Sequence, residues 1–221
     1  MNVVKPHAVM LNVPDRVAGI VMLKQIEWCG RISHRSEEAQ TDNSWEKFIN
    51  AVVIQHGDWS IVEHVSVTCD FYVDRGITHE LVRHRLFAFT QESSRFVSYE
   101  KKMPASFIQP DFGEDPDFHK LVTWKSIIIA CETAYKELIG HGCAPQIARS
   151  VFPNALGSRI IITGNLRNWR HFFIMRTTKE AHPQMREVTI PLLKEFQEKI
   201  PILYDDIIPM AKQSESMKKG R

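Results

Sequence analysis

Residues 65–73 constrain the fold most, because they alternate strictly between apolar and polar side chains. The odd-numbered positions are Val, Val, Cys, Phe and Val, and the even-numbered ones are Ser, Thr, Asp and Tyr. A period of two residues places all the apolar side chains on one face of a β-strand, so the pattern predicts a half-buried strand. The next residues, 74–76, read Asp-Arg-Gly and predict a turn into a short helix that carries Arg83.

Helical patterns dominate the rest of the chain. Apolar side chains recur at helical spacing over 15–32, 116–141 and 165–176. Asp15 is placed to cap the first of these helices. In it and in the long helix, the residues expected to face the core include Val17, Val21, Leu23, Leu121, Trp124, Ile127, Ile128, Cys131 and Tyr135.

Prolines and capping residues predict the remaining helices. One helix is expected to begin at Asn43 or Ser44, and a short one at Pro145 that holds Arg149. Two more are expected at Pro183, with a kink or break at Pro191, and at Pro201.

Strands at 2–12 and 158–163 and a Pro-, Asp- and Gly-rich loop at 100–115 complete the pattern. The sequence therefore predicts an α+β fold in which helices surround a small mixed or antiparallel sheet. We expect one catalytic domain over 1–209 and a polar tail over 210–221.

The composition limits the classes of function. The chain has 221 residues, of which 43% are hydrophobic and 24% charged, values that are ordinary for a globular domain. Its 28 basic and 26 acidic residues give a net charge of +2. Dedicated nucleic-acid binders usually have a large basic excess, so this balance argues against that class.

The four cysteines form no CxxC pair, which indicates neither a zinc knuckle nor a redox motif. They predict reduced thiols and a cytoplasmic protein, in a host cytoplasm if the source is viral. The N-terminus lacks an apolar run after basic residues, and no stretch approaches about 18 apolar residues. We therefore expect neither a signal peptide nor a membrane partner.

Cationic side chains cluster in residues 83–95, which read RHRLFAFTQESSR. Three basic side chains open the segment, and a serine and an arginine close it. A basic cluster is most often a surface patch or a nucleic-acid contact. Two phenylalanines lie within this one, which favours a lining for a flat, anionic ligand.

The spacing of this segment, Arg-His-Arg, seven residues, then Ser-x-Arg-aromatic, resembles the signature of the flavin-dependent thymidylate synthases. Two weaker blocks follow the order of that family, WSIVEH at 59–64 and a distal block from Arg149 to Arg176. The resemblance implies reductive methylation of dUMP to dTMP with 5,10-methylenetetrahydrofolate. FADH2 is the implied hydride source, NADPH its reductant, and a homotetramer with shared active sites the implied assembly.

The same resemblance implies two sets of site residues. The nucleotide dUMP would be bound by Glu80, Arg83, Gln91, Glu92, Ser93, Ser94, Arg95, Arg149 and Arg176. FAD would be bound by Ser60, Arg83, His84, Arg85, Gln91, Asn165, Arg167 and His171. The chain has no GxGxxG, so a Rossmann mode of cofactor binding is not indicated, and no metal is expected.

Arg176 is the residue to which the resemblance gives a catalytic role. An arginine there would lie against the pyrimidine and favour its ionised N3 form, which raises the electron density at C5. From the residues alone, Arg176 is equally typical of a helix C-terminal cation, and Arg149 of a helix surface. Ser93 has no adjacent base to make it a nucleophile, so we expect it to bind and position the substrate.

Three positions depart from the family pattern. Asp58 stands where the family usually has a histidine that gates the site, and His56, two residues upstream, is the candidate substitute. Glu80 occupies a position often held by glutamine. Phe96 replaces the usual tyrosine.

Three alternatives stay open from the residues. One is a related flavoenzyme that adds another one-carbon group to a pyrimidine nucleotide, which the aspartate at position 58 motivates. A second is a nucleic-acid-binding module that stacks bases on Phe87 and Phe89. A third is a metal hydrolase using His79 and His84, whose spacing of five does not align two ligands on one helical face.

Overall fold

The computed structural model describes residues 1–96, 99, 104–113 and 118–209. It has two compact units. Unit 1 comprises residues 1–7, 71–83 and the described part of 89–161, and unit 2 comprises 8–70, 84–88 and 162–209. The predicted tail at 210–221 lies outside the described residues.

The described residues form α-helices and strands, which confirms the predicted α+β class. The α-helices are α1 (Arg16–Ile32), α2 (Ser44–Phe48), α3 (Arg75–Leu81), α4 (Phe118–Gly140), α5 (Pro145–Ala148), α6 (Leu166–Arg176) and α7 (Pro183–Lys199). A π-helix continues α2 over Ile49–Gln55, and short 3-10 helices cover Glu37–Ala39, Trp59–His64 and Arg149–Val151. No helix in the described ranges is long and apolar enough to cross a membrane.

The strands are β1 (Asn2–Val4), β2 (His7–Met10), β3 (Ser66–Asp74), β4 (Ala88–Gln91), β5 (Ser106–Ile108) and β6 (Gly157–Asn165). They form a four-stranded sheet in the order β2-β3-β6-β4 and a two-stranded sheet of β1 and β5. β1 and β5 are parallel, with Asn2 opposite Ser106.

β3 and β6 run antiparallel. The backbone N–H of Leu166 donates to the carbonyl of Val65 at 3.0 Å, and that of Arg75 donates to the carbonyl of Leu156 at 3.0 Å. The start of β3 is thus bonded near the end of β6, and the end of β3 near the start of β6, which is the antiparallel pattern. β3 buries the odd-numbered side chains that the alternation predicted.

Side-chain caps fix the starts of three helices. Asp15, Asp74 and Asn165 each accept a hydrogen bond from the backbone N–H three residues later, at 2.9, 2.7 and 2.8 Å. Such a bond satisfies one of the N–H groups that a helix start leaves unpaired. The predicted cap at Asp15 is therefore confirmed.

Each unit has its own aromatic core. In unit 1, Tyr99, Phe107, Ile128, Tyr135 and Leu156 form one buried cluster. In unit 2 the largest buried side chains are those of Trp169, Phe172, Phe173, Phe196 and Tyr204.

The buried faces of two helices differ from the prediction. Val17 and Val21 are 70% and 59% exposed, whereas Leu23 and Ile26 are buried. In α4, Ile127 is 57% exposed and its neighbour Ile128 is buried. Apolar side chains lie on several sides of both helices, so their spacing did not identify the side that packs.

Several boundaries also differ from the prediction. The stretch 2–12 is split into β1 and β2, and β5 lies inside the predicted loop at 100–115. α7 continues through Pro191. The helix predicted from Pro201 is wrong, since residues 203–206 form turns and Ile202 has a φ of 79°. A positive φ is incompatible with a continuing right-handed helix.

Candidate active site

Unit 1 contains a pocket of about 420 Å³ at the start of α3 and around the short helices after Pro145. Its volume falls in the range of about 300–1,000 Å³ typical of small-molecule sites. Among the described residues, no carboxylate lines this pocket. The lining residues are Arg75, Ser94, Gln146, Arg149, Ser150, Phe152, Pro153, Asn154 and Leu156.

Two arginines give this pocket its charge. The Nη1 of Arg149 donates to the hydroxyl of Ser94 at 2.7 Å, and Ser94 is only 3% exposed. Arg75 is the first residue of α3, and its backbone N–H is bonded to the carbonyls of Asn154 and Leu156. In the described part of the chain, neither guanidinium has a carboxylate partner. The arrangement suits an anion such as a phosphate, which guanidinium groups bind in paired hydrogen bonds.

Gln91 is anchored at the end of β4. Its amide Nε2 lies 2.9 Å from the hydroxyl of Thr78 and 3.2 Å from that of Ser158, and both hydroxyls are buried. With Nε2 used in this way, the carbonyl oxygen of the Gln91 side chain is the part that can face a ligand.

Glu92 follows directly. The Tyr99 hydroxyl donates to its carboxylate at 3.2 Å, and its backbone N–H donates to the carbonyl of Arg159 at 2.8 Å. Burial, and then the charge of Glu92, raises the pKa of Tyr99 well above its ordinary value. Tyr99 therefore stays a hydrogen-bond donor to Glu92 at physiological pH.

The other residues predicted to bind dUMP in unit 1 lie outside the pocket lining. Ser93 is half-buried, and its hydroxyl accepts a weak bond from the backbone N–H of Arg95 at 3.4 Å. The Arg95 guanidinium is exposed and lies 5.5 Å from the ring centre of Phe96. Glu80 is half-buried in α3, and Arg83 is exposed beyond the end of that helix.

In unit 2, the site centres on the pair His84 and Arg176. The Nε–H of Arg176, the last residue of α6, donates to Nε2 of His84 at 2.8 Å. Burial lowers the pKa of His84 to about 4, with smaller contributions from the charges of Arg176 and His171. The imidazole is therefore neutral at physiological pH and can accept this bond.

Aromatic rings support His84. Its ring meets that of Phe172 edge-on, with centres 5.0 Å apart, and Phe87 lies 6.2 Å away in a similar geometry. The side-chain amide of Asn168 donates to the carbonyl of Leu86 at 2.9 Å. Packing and hydrogen bonding thus attach the segment 84–87 to α6.

The remaining flavin candidates near α6 are mostly exposed donors. Arg85, Arg167 and His171 are exposed, and Arg167 makes an ion pair of 2.5 Å with Glu63. Asn165 uses its carbonyl oxygen to cap α6, so its amide nitrogen is the group left to donate. Cationic and amide donors of this kind fit the pyrophosphate and ring carbonyls of a flavin nucleotide.

Ser60 is exposed on the 3-10 helix Trp59–His64, which a second arginine holds in place. The guanidinium carbon of Arg170 lies 4.5 Å from the ring centre of Trp59, and both Nη groups donate to the carboxylate of Asp206. The hydrogen bond from Arg170 lowers the pKa of Asp206, which keeps the pair charged. Arg170 thereby fixes the segment that presents Ser60.

Asp58, which departs from the family pattern, and His56, the candidate substitute gate, are both exposed. Gly57 between them has a φ of 83°, a backbone conformation that favours glycine. The role of His56 as a substitute gate stays a prediction. Among the residues that the structure describes, no group of three or more His, Cys, Asp or Glu side chains is placed to hold a metal ion.

Sequence reasoning missed Arg75 and Arg170. Arg75 looked like part of a turn, and only the folded chain brings it to the pocket with Arg149. Arg170 lies on the helix that carries three predicted site residues, but its partner Asp206 is 36 positions away. No local pattern signals either contact.

An anion pocket in one unit and a cationic, aromatic-backed surface in the other are features of enzymes that handle nucleotides. Residues 22–202 match the family described as "Thymidylate synthase complementing protein". A flavin-dependent thymidylate synthase of Corynebacterium aurimucosum is 33% identical over 200 residues, which cover 82% of this chain and 78% of that protein. One from Pyrococcus furiosus is 32% identical over 199 residues, with coverages of 86% and 78%.

Solved structures share the fold. The crystal structure of a UMP/dUMP methylase, PolB from Streptomyces cacaoi, bound with 5-Br dUMP, superposes with a TM-score of 0.73 over 93% of this chain and 96% of that one. At a sequence identity of 20%, this similarity shows a shared fold and nothing more. The chain belongs to the thymidylate synthase complementing protein family, and the family resemblance predicted from its signature is confirmed.

Proposed function

We propose that this chain reductively methylates dUMP to dTMP, with 5,10-methylenetetrahydrofolate as carbon donor. The family match over residues 22–202 carries the proposal. The chain is accordingly a flavin-dependent methyltransferase. When bound, FAD supplies the hydride for this reaction, and NADPH restores its reduced form.

The unit 1 pocket is the proposed site of the nucleotide phosphate. Arg149, held by the buried Ser94, and Arg75 present two guanidinium groups to a cavity whose described lining residues include no carboxylate. A nucleotide phosphate carries up to two negative charges and several acceptor oxygens, which such groups bind bidentately. Gln91 and Ser93 are proposed to position the rest of the nucleotide.

Arg176 is the proposed catalytic residue. Its guanidinium would stabilise the negative charge that develops on the uracil ring as C5 becomes nucleophilic. No protein nucleophile is needed in this scheme, in keeping with Ser93, whose hydroxyl contacts a backbone N–H rather than a base.

The flavin is proposed to bind polar side chains of unit 2, of which four are exposed and two, His84 and Asn165, are half-buried; the exposed ones are Ser60, Arg85, Arg167 and His171. Arg83 and Gln91 complete the proposed flavin set. The proposed nucleotide set is completed by Glu80, Arg83, Glu92, Ser94 and Arg95. An ion pair already holds Arg167 near the start of α6, and such exposed pairs are weak enough to yield to a phosphate.

A homotetramer with shared active sites and a cytoplasmic location are the remaining proposals. Both follow from the family rather than from any contact in this chain. Sedimentation or light scattering of the purified protein measures the first, and a mass of one chain would contradict it.

The test of the proposed function is a turnover assay on the purified wild-type chain. We expect the visible absorbance of bound flavin, and dTMP formation that requires dUMP, 5,10-methylenetetrahydrofolate and NADPH together. Omitting each component in turn is the control. A colourless protein, or a flavoprotein that forms no dTMP from dUMP, would contradict the proposal.

A parallel reaction with UMP distinguishes the related flavoenzyme from a thymidylate synthase. We expect dUMP to be the better substrate. Conversion of UMP alone, or transfer of a group other than methyl as identified by product mass, would favour the related enzyme.

A further inference from the structure

Arg176 needs a fixed orientation to serve the proposed reaction. Its side chain has four rotatable bonds before the guanidinium and belongs to the last residue of α6. The guanidinium acts on a flat ring through its planar Nη groups, so a rotation of the plane would misdirect them. The bond at Nε is therefore the natural place to control that plane.

His84 supplies the bond at this place. Its Nε2 accepts from the Nε–H of Arg176 at 2.8 Å. The imidazole is itself immobilised, because Phe172 packs edge-on against it and the neighbouring backbone at Leu86 is tied to Asn168. A rigid acceptor therefore contacts the guanidinium at Nε rather than at an Nη group.

The acceptor role requires a neutral imidazole with its proton on Nδ1. The charged or titratable groups around His84 are Arg176 and His171 on α6, with Arg83 and Arg85 beside it along the chain. All of these can carry positive charge, and the ring is partly buried, so its environment disfavours a second proton. The hydrogen-bond geometry and the surrounding positive charge therefore both favour the neutral form of the His84 imidazole.

We propose that His84 is a positioning residue for Arg176: the neutral imidazole fixes the plane of the guanidinium against which the uracil ring reacts. The proposal rests on the proposed function and adds to it. It is separate from the proposed flavin contact of His84, because it predicts that His84 affects kcat per bound flavin only when Arg176 is present.

The test is a double-mutant cycle in which kcat is measured per bound flavin, so that any loss of flavin is not counted. His84→Phe keeps an aromatic ring but removes the acceptor, and we expect kcat to fall about 10- to 100-fold. His84→Gln restores an acceptor oxygen, and we expect it to recover kcat to within about 5-fold of wild type. Arg176→Ala is expected to lower kcat about 100- to 1,000-fold.

The decisive measurement is His84→Phe in the Arg176→Ala background. A residue that acts through Arg176 adds less than about 2-fold there, whereas independent effects multiply. Multiplying effects, or a His84→Gln enzyme as slow as His84→Phe, would overturn the proposal. Wild-type chain that forms no dTMP would overturn the proposed function instead, and the role of His84 with it.

Circular dichroism and unfolding of each variant separate this role from loss of structure. We expect all four proteins to fold and to show similar KM values for dUMP, because the pocket residues in unit 1 are unchanged. A His84→Phe enzyme whose loss appears in KM rather than kcat would also overturn the assignment, because a misdirected guanidinium affects the transition state.

Discussion

The arginines of the two units are held in opposite ways. In unit 1, Arg75 and Arg149 line a pocket, and no carboxylate partner is assigned to either within the described ranges. In unit 2, Arg167, Arg170 and Arg176 each donate to an acceptor in the same unit, at 2.5, 2.5 and 2.8 Å. The first pair is available to an external anion, and the second group is fixed by the protein.

This contrast suggests a division of labour. A cation without an assigned carboxylate partner gains most when a charged ligand arrives, so unit 1 should govern affinity for the nucleotide. A cation already oriented by the fold gains little on binding but acts without reorganising during the reaction. Substitutions in unit 1 should therefore change mainly KM for dUMP, and those around Arg176 mainly kcat.

The largest effect on affinity is expected for Arg149→Ala. Losing a hydrogen-bonded guanidinium from a phosphate site costs about 1.5–3 kcal/mol, or roughly 10- to 150-fold in KM for dUMP. Steady-state kinetics measure the change, with kcat expected to move much less.

Arg95→Ala is the matched control for Arg149, because its guanidinium is exposed beside Phe96 and outside the pocket lining. We expect a smaller rise in KM. An equal rise in KM for dUMP from both substitutions would contradict the placement of the phosphate in the pocket.

Gly164→Ala tests the packing of unit 2. A Cβ at this position would overlap the ring of Phe87, which is one of the rings beside His84. Overpacking of this kind costs about 1–3 kcal/mol in the free energy of unfolding. Chemical denaturation measures it, and a kcat loss larger than the KM change would support the division between the units.

Gly140→Ala is the control for that substitution, since a Cβ there meets nothing within 4 Å. It should leave stability unchanged or raise it slightly, by up to about 1 kcal/mol. If Gly164→Ala changed the free energy of unfolding no more than Gly140→Ala does, the close approach of Phe87 to Gly164 would not contribute to stability.

Arg75→Ala should act in the same direction as Arg149→Ala but more weakly. We expect KM for dUMP to rise about 3- to 10-fold, equivalent to about 1 kcal/mol, because no buried hydroxyl holds this guanidinium. Arg75→Lys keeps the charge and should lose less. An unchanged KM in both variants would remove Arg75 from the site.

His84 is also expected to make the stability depend on pH. Its pKa in the folded chain is about 4, below the ordinary 6.5, so between these values the unfolded chain binds more protons than the folded one. Its contribution to stability is complete above pH 6.5 and is lost as the pH falls towards 4. Denaturation of wild type and His84→Gln at several pH values should give curves that converge in acid, and parallel curves would contradict the assignment.

Local features of the fold were predictable and distant ones were not. Asp15 caps α1, and residues 65–73 form a strand, because both depend on neighbours a few positions away. β5 was missed because three residues in a proline-rich stretch become a strand only by pairing with β1, about 100 positions earlier. The helix at Pro201 failed because a proline permits a helix start without requiring one.

The candidate site shows the same limit. The signature at 83–95 named His84, Arg85 and Gln91 through a family resemblance, but it did not indicate which partners they have. The bond between His84 and Arg176 joins residues 92 positions apart. Nor did it indicate that Arg75, a turn residue in the sequence, lines the same pocket as Arg149.

Asn165 illustrates what happens when one side chain has two duties. Its carbonyl oxygen begins α6, and under the proposed assignment its amide nitrogen faces the flavin. An aspartate could cap the helix in its place, but an ionised carboxylate has no hydrogen to donate to the flavin. Across a lineage, this position should therefore drift more slowly than the exposed residues beside it.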